Sequence, residues 1–283
     1  MKHLAILTLA LLFCLLLASG CLSAPPGQEP PATTPVLPAE KPHYTIGIDA
    51  DYPPFTYRDN AGNFTGLDIE AARWIAERQG FEVEFFPVPW DRVLEALRDG
   101  GIDMVYSGMT ITPEREKEVA FTIPYFTVTK SVAVRSGSNV TLDDLNAGRL
   151  RLGAQVGSTG ESWVKEHLLN TGILYPGQVF MYPDVLTLTD ALMNGSIDAS
   201  LSDTPSQQQA IAGKPLIILG EIPTGEQYAV AVRKNDTHLR AVMDAGLRQL
   251  MADPHWQDLL EKYGLNTTTI SNFFLADYAV ASK

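Results

Sequence analysis

Ala96-Leu97-Arg98-Asp99-Gly100-Gly101-Ile102-Asp103-Met104-Val105-Tyr106-Ser107 is echoed, 95 positions later, by Ala191-Leu192-Met193-Asn194-Gly195-Ser196-Ile197-Asp198-Ala199-Ser200-Leu201-Ser202. The shared letters are Ala-Leu, a glycine three residues on, Ile-Asp, and a closing serine. Each copy reads as the end of a helix, a glycine cap and a strand. That is also a common local grammar, so coincidence is the competing reading. Read as an internal repeat, the pair predicts two similar α/β lobes. It then sets Gly108 and Asp203 just beyond the carboxyl ends of equivalent strands, where open α/β sheets bind ligands. Two such lobes facing each other enclose a cleft.

Outward from the echo, short β-rich runs alternate with helical patterns, the rhythm of an α/β chain. In the first half, strands are expected at Tyr44 to Ile48, Glu82 to Phe86 and Ile102 to Tyr106. The helices between them are Asp68 to Gln79, ending at Gly80, and Asp91 to Asp99, ending at Gly100. The second series is Arg151 to Val156, a helix from Gly160 to Leu169, Val179 to Tyr182, a helix from Thr187 to Met193, and Ile197 to Leu201.

With 283 residues the chain has room for two domains and a core that needs no staples. There are 21 Lys+Arg against 33 Asp+Glu, a formal charge of -12, which is the wrong sign for a nucleic-acid binder. Residues Met1 to Gly20 carry Lys2 and an uncharged apolar run from Leu4 to Ala18, followed by Ser19-Gly20-Cys21, and read as an export signal with a lipobox-like end. Lipoboxes usually set leucine three residues before the cysteine, whereas Leu17 is four before Cys21. The alternative is a membrane anchor, for which the run is short. Cys14 leaves with the signal and Cys21 is the expected lipid site, so no disulfide, thiol nucleophile or cysteine-based metal site is expected downstream. Residues 21–42, with seven prolines from Pro25 to Pro42, read as an extended tether. Five of nine asparagines (Asn63, Asn139, Asn194, Asn235, Asn266) lie in glycosylation sequons, which suits an exported chain. Turn-favouring Asn-Gly and Asn-Asp pairs account for part of that number.

Four loops carry chemistry. Asp49-Ala50-Asp51-Tyr52-Pro53-Pro54-Phe55 follows the first strand, and its two prolines make it a rigid loop presenting a carboxylate and an aromatic ring. The plainer reading of Tyr52 or Phe55 is a core residue beneath that loop. Ser107-Gly108-Met109-Thr110-Ile111-Thr112-Pro113-Glu114-Arg115 follows the third strand. Pro113 suits a first helical position, from which Arg115 turns back toward the loop. The Arg115 fork matches a carboxylate, and a surface ion pair with Glu114 or Glu118 is its alternative. Gly157-Ser158-Thr159-Gly160-Glu161 opens a helix whose N-H groups suit an anion. A phosphate loop fails there, because Gly153 to Gly157 has the wrong spacing and no lysine follows. Asp203, before Thr204-Pro205, is either a helix N-cap or a cleft acid.

Together these residues resemble the type 3 extracellular solute-binding proteins, the polar amino-acid receptors of ABC importers such as histidine-, glutamine- and lysine-arginine-ornithine-binding proteins. The carriers are Asp49-x-x-Tyr52-x-Pro54-Phe55, Gly66-x-Asp68-Ile69-Glu70, Ile102-Asp103, Gly108-x-Thr110-Ile111-Thr112-x-x-Arg115, Phe121-Thr122-x-Pro124-Tyr125, Gly157-Ser158-Thr159 and Ser202-Asp203-Thr204-Pro205, over about Tyr44 to Tyr263. The resemblance implies the α/β periplasmic-binding-protein type II fold, two lobes joined by a two-strand hinge with the ligand cleft between them. Lobe 1 would be discontinuous, 43–131 and 230–283, and lobe 2 would be 132–229. Hinge strands would lie near Thr129 to Val134 and Gln227 to Val232, and helices at His238 to Ala252 and His255 to Tyr263 would return to lobe 1.

Carried over from the family, Arg115, Thr110 and the amides of Ser158 and Thr159 would hold a ligand α-carboxylate. Asp203, Thr110 and the Gly108 carbonyl would hold the α-ammonium. Tyr52 and Trp90 would sandwich the side chain, and Asp49, Ser107 and Gln155 would read its tip. An acid between aromatic walls favours Arg, Lys, His or Gln. The implied protein is a monomeric lipoprotein at the extracytoplasmic face of the membrane. It would hand a free L-amino acid to ABC permease subunits, with no catalytic residue, cofactor, metal or nucleic acid involved. The alternatives are a cyclohexadienyl-dehydratase-like enzyme on the same scaffold and a binding protein feeding a separate chemoreceptor. No role follows from the sequence for the extension Asn266 to Lys283.

Overall fold

Two five-stranded sheets organise the chain in a computed structural model that describes residues 40–265. The export signal, Cys21, most of the tether, the sequon at Asn266 and the extension beyond it lie outside the described residues. In chain order the first half contains β1 (His43–Ile48), β2 (Asp51–Tyr52), β3 (Thr56–Arg58), β4 (Phe64–Thr65), α1 (Leu67–Gln79), β5 (Glu82–Pro87), α2 (Val93–Arg98), β6 (Met104–Val105), α3 (Pro113–Glu116) and β7 (Val119–Phe121). Then come β8 (Phe126–Arg135), α4 (Leu142–Asn146), β9 (Leu152–Gln155), α5 (Thr159–Val164), β10 (Val179–Tyr182), α6 (Val185–Met193), β11 (Ala199–Asp203), α7 (Thr204–Ile211) and β12 (Leu216–Tyr228). The chain ends with β13 (Ala231–Arg233), α8 (Thr237–Ala252) and α9 (Pro254–Lys262).

The first sheet has the order β5-β1-β6-β13-β7 and the second β10-β9-β11-β8-β12. In each, three parallel strands are followed by two antiparallel ones. The parallel strands are joined through helices, as such pairs require. The two copies of the sequence echo become β6 and β11, third in their sheets, and repeat in detail. Ile102 covers Gly47 of β1 and Ile197 covers Gly153 of β9, so closely that a Cβ on either glycine would collide with the isoleucine. Asp103 accepts the Thr45 N-H at 2.9 Å, and Asp198 accepts the Arg151 N-H at 3.0 Å. The Ile-Asp pair is therefore a working unit: one residue packs on the neighbouring parallel strand and the next holds a backbone N-H in or just before that strand's first half.

Both sheets are covered on both faces at their centres, while the edge strand β5 leaves Glu82 and Glu84 exposed. Ile46, Ile48, Ile69, Ile75, Leu239, Met243 and Leu247 fill one side of the first sheet; Val93, Leu97, Ile102 and Val105 fill the other. On β8, Val132 and Val134 join one core of the second sheet, and Ala133 joins the other, the two-residue alternation of a strand. α8 packs on α1, where Gly246 lies directly against Ile75. The chain passes from the first sheet to the second between β7 and β8 and returns between β12 and β13. There the two crossings are tied side by side by Thr122 N-H to the Val230 carbonyl (3.0 Å) and Tyr125 N-H to that of Tyr228 (2.9 Å).

Element boundaries moved where side chains claimed the backbone. The strand expected at Ile102 to Tyr106 shortens to Met104–Val105. Past Val105 the chain leaves the sheet, with the Gly108 N-H bonded to the Asp68 carboxylate at 2.7 Å instead of a strand neighbour. The helix expected from Asp91 starts as a 3-10 turn at Trp90–Arg92, and the one expected to Leu169 finishes as a π-turn over Lys165–Leu169. Asp203 ends β11 instead of lying beyond it.

Asp68, second residue of α1, is fully buried. Its Oδ2 accepts the Gly108 N-H and, at 2.8 Å, the Tyr125 hydroxyl, while its Oδ1 is buried with no partner among the described residues. Burial raises its pKa to about 7, with the Tyr125 and Gly108 hydrogen bonds opposing. An acid raised in the fold holds its proton longer than in the unfolded chain, so its contribution weakens as pH rises from about 4 toward 7. Asp68→Asn removes that titration. Relative to the parent, the variant should gain about 1.4 kcal/mol per pH unit between pH 5 and 7 in urea unfolding. A stability difference that stays constant over that range would show that Asp68 does not titrate there.

Candidate functional site

The loops that leave the carboxyl ends of the two sheets converge on a small cavity. Asp49, Tyr52, Trp90, Ser107, Gly108, Thr110, Arg115, Gln155, Ser158, Thr159 and Asp203 line it, so the structure brings together every residue singled out for the cleft in the sequence. Four of them cross between the sheets. Tyr52 donates its hydroxyl to Asp203 Oδ2 at 2.6 Å, and Gln155 Nε2 donates to Asp49 Oδ2 at 2.6 Å. Arg115 reaches the Gly157 carbonyl at 3.1 Å, and Thr110 Oγ donates to Glu226 of β12 at 3.4 Å.

Arg115 resolves in favour of the cleft. Thr112 caps α3, accepting the Arg115 N-H at 3.2 Å, and Pro113 opens the helix. The guanidinium donates to the Thr110 and Gly157 carbonyls and stands 5.9 Å over the Trp90 ring. Glu118 pairs with Arg98 and Glu114 with Lys117, so neither surface acid takes it. Among the described residues no carboxylate lies within ion-pair distance of Arg115. Burial lowers its pKa, against the pull of Asp203 and Glu226.

Asp203 occupies the N-cap position of α7, but its side chain makes no cap bond. Its Oδ1 takes the Lys130 ammonium at 2.7 Å, and its Oδ2 takes the hydroxyls of Tyr52 and Tyr228, each at 2.6 Å. Burial works to raise its pKa, but Lys130 and the two phenols outweigh it, and the pKa lies below the usual carboxylate range. Phe55, by contrast, is a core residue with no exposure, stacked 5.6 Å from Tyr52.

Asp49 sits at the other end of the cavity. Its Oδ1 accepts the Asp51 N-H at 3.0 Å, and its backbone N-H donates to Ser107 Oγ at 3.0 Å. Ser107 is further tied to Thr56 Oγ at 2.6 Å, so its hydroxyl steadies Asp49 as well as lining the cavity. Both amide hydrogens of Gln155 are used, on Asp49 and on the Pro183 carbonyl at 3.0 Å. Burial raises the Asp49 pKa to about 6, with the Asp51 and Gln155 hydrogen bonds opposing and Asp184 adding to it.

Gly108 has φ +57°, and a Cβ there would lie 2.7 Å from the Tyr52 ring, so only glycine lets the ring approach. At the helix start, Ser158 Oγ caps the Glu161 N-H at 3.1 Å, and Glu161 returns its carboxylate to the Gly157 N-H at 2.7 Å. These caps take the Gly157 and Glu161 N-H groups, and the Ser158 N-H, one of the two amides expected to meet a carboxylate, lies 3.4 Å from the Gln155 carbonyl. The described residues contain no group of three or more His, Cys, Asp or Glu able to hold a metal ion.

Three residues went unnoticed in the sequence: Lys130, Glu226 and Tyr228. Lys130, on β8, has no exposed side-chain area and bonds Asp203, Thr159 and Glu226. The signal available was one lysine inside an apolar run, Val128-Thr129-Lys130-Ser131-Val132-Ala133-Val134, which resembles the solvent face of a strand.

A family model for bacterial extracellular solute-binding proteins, family 3, matches residues 44–266. The "Probable histidine-binding protein" of Neisseria gonorrhoeae is 30% identical over 86% of this chain and 90% of its own length. The L-cystine-binding protein TcyJ of Escherichia coli K12 is 30% identical over 77% of this chain and 81% of its own. Among solved structures, an ancestral arginine-binding protein bound to arginine superimposes with a TM-score of 0.72 at 32% identity, covering 79% of this chain and 98% of that one. The paired sheets are thus the type II periplasmic-binding-protein fold. Since the matched region runs from β1 past the end of α9 and takes in both sheets and the cavity between them, the chain belongs to the bacterial extracellular solute-binding proteins, family 3.

Proposed function

We propose that this protein is the extracytoplasmic receptor of an ABC importer and binds one polar or basic L-amino acid (Arg, Lys, His or Gln) between its two sheets. The sheets would move as lobes about the paired crossings and close on the ligand. The observation that carries the reading is Arg115, a cation inside the cavity whose hydrogen bonds go to two backbone carbonyls and to no carboxylate. A cation held partly out of water is costly without a counter-charge, and a ligand carboxylate would supply it. Asp203 at the same end supplies the opposite charge for an α-ammonium. Asp49, flanked by Tyr52 and Trp90 on the cavity wall, suits a cationic or amide side chain. The named ligands of the relatives, histidine and arginine among them, support that class. The lipid anchor at Cys21 is part of the same proposal, since a receptor serving a permease gains from being tethered beside it.

The direct test is thermal unfolding of the full chain against the twenty amino acids, ornithine, citrulline and several dicarboxylates. Ligand at about a thousand times Kd adds about 4 kcal/mol, and Tm rises about 2–4 °C per kcal/mol at this size. A large shift confined to basic or amide amino acids is expected, and no shift with any α-amino acid would refute the reading. Arg115→Ala should abolish calorimetric binding of every amino acid while Tm without ligand stays near the parent value; an unchanged Kd would remove Arg115 from the site.

Asp49 gives a pH signature. A cationic side chain favours its ionised form, so below about pH 6 binding must first displace a proton. Affinity for arginine or lysine should be flat above pH 7 and fall by up to about tenfold per unit below 6. Glutamine affinity should change little, and Asp49→Asn should flatten the arginine profile. Parallel profiles for arginine and glutamine would mean that Asp49 does not face the side chain.

A further inference from the structure

Beside the cavity, Lys130 and Glu226, which no sequence motif accounts for, join Asp203 in one charged cluster around the fully buried Lys130. Glu226 owes its position to an irregularity in β12. After a first register shift between Ile218 and Gly220, the strand pairs evenly with β8 from Gly220 opposite Val132 to Ile222 opposite Lys130 and resumes with Glu226 opposite Val128. Pro223, Thr224 and Gly225 thus face the single residue Thr129, and Gly225 takes a left-handed φ of +64°. A bulge of this kind re-aims the side chain that follows it, here bringing Glu226 Oε2 to 3.0 Å from Lys130 Nζ.

The direction of each hydrogen can be assigned. An ammonium has three, and Lys130 spends them on Asp203 Oδ1 (2.7 Å), Thr159 Oγ (2.7 Å) and Glu226 Oε2 (3.0 Å). Lys130 has none left for a ligand. Thr159 Oγ, already an acceptor from Lys130, donates its one hydrogen to Glu226 Oε2 at 2.8 Å. Thr110 Oγ donates to the same oxygen at 3.4 Å. Both threonine hydroxyls line the cavity, and both point their hydrogens away from it toward Glu226, leaving lone pairs facing in. Charge follows the same pattern. Lys130 alone would cancel Asp203; with Glu226 present the cluster has two carboxylates and one ammonium and keeps a net charge of −1.

Resting on the function proposed above, we infer that Glu226, acting through Thr110 and Thr159 and balanced by Lys130, is a positioning residue. It makes this end of the cleft an acceptor for the ligand's α-ammonium, so that the protein rejects the same acid without its amino group. On this inference Thr110 serves the ammonium alone, not both the carboxylate and the ammonium as the family resemblance implies.

The test is calorimetry on the full chain with two probe pairs, L-arginine with 5-guanidinopentanoic acid and L-glutamine with 4-carbamoylbutanoic acid; each second member lacks only the α-amino group. Glu226→Gln leaves the Lys130–Asp203 pair intact but makes the cluster neutral. It should weaken the amino acids by between about 10- and 100-fold and change the deaminated acids less than about threefold. The double variant Lys130→Met/Glu226→Gln returns the cluster to −1 through Asp203 alone and should recover at least part of the lost amino-acid affinity. Circular dichroism and Tm of each variant show that it is folded. Three outcomes each overturn the inference alone: Glu226→Gln affinities within threefold of the parent, equal losses for amino and deaminated acids, or a folded double variant no better than the single one. A parent chain that binds the deaminated acids but neither amino acid overturns the function proposed above, and this inference with it.

Discussion

The Asp203 carboxylate is where the two halves of the molecule meet. It ends β11 of the second sheet, yet it is held by Tyr52 from β2, which follows the first strand of the first sheet, by Lys130 from β8 and by Tyr228 at the end of β12. A carboxylate removed from water is costly unless it is paired and hydrogen-bonded. Those partners must therefore arrive together, and each constrains a separate piece of backbone. Tyr52 fixes the Pro53-Pro54 loop, Lys130 and Tyr228 fix the two crossings, and the close approach of Gly108 to the Tyr52 ring fixes the loop after β6. The cleft is shaped by what a buried charge needs, and the sheets supply the scaffold that meets the need.

At the far end of the cavity, Asp49 and Gln155 make a second bridge with a different character. Asp203 has a cation beside it and a pKa held low; Asp49 has only amides and hydroxyls, and its pKa is raised by burial. The two acids in one cleft are thereby set apart. One is a permanent charge at the hinge side, and the other is a charge that an appropriate ligand completes. Closure driven by a ligand requires contacts that the closed arrangement has and the open one lacks. Arg115 to Gly157 and Tyr52 to Asp203 join groups from different sheets, and on the function proposed above they would be contacts of that kind.

Much of this was legible in the sequence because it rests on local rules. The Ile-Asp echo named the third strand of each sheet, since an isoleucine over a glycine and an aspartate on a strand start recur wherever the same βα unit is built. Pro113 pointed to α3 and hence to the direction of Arg115. What was not legible depends on pairing over long separations. Lys130 meets Glu226 across 96 positions and Asp203 across 73, and a lone lysine in an alternating strand looks exposed until both faces of the sheet are known to be covered. Glu226 was hidden for a further reason: its orientation comes from a three-residue bulge, and Pro223-Thr224-Gly225 reads from sequence as a loop. The reciprocal cap between Ser158 and Glu161 escaped notice because the anion reading of that loop left its own glutamate out of account.

The charges around the cleft, taken together, constrain the guest more tightly than any one residue. Arg115 and Lys130 are positive; Asp203, Glu226 and, above about pH 6, Asp49 are negative. The sum is one negative charge in a water-poor space. An amino-acid head group is neutral overall and leaves that sum unchanged, so the remaining charge falls to the side chain. On the function proposed above, a cationic side chain would cancel it, a neutral amide would leave it as it is, and an acidic side chain would double the imbalance at the end where Asp49 stands. Selectivity for basic over amide ligands would then depend on the ionisation of one carboxylate, and acidic ligands would be excluded wherever Asp49 is ionised.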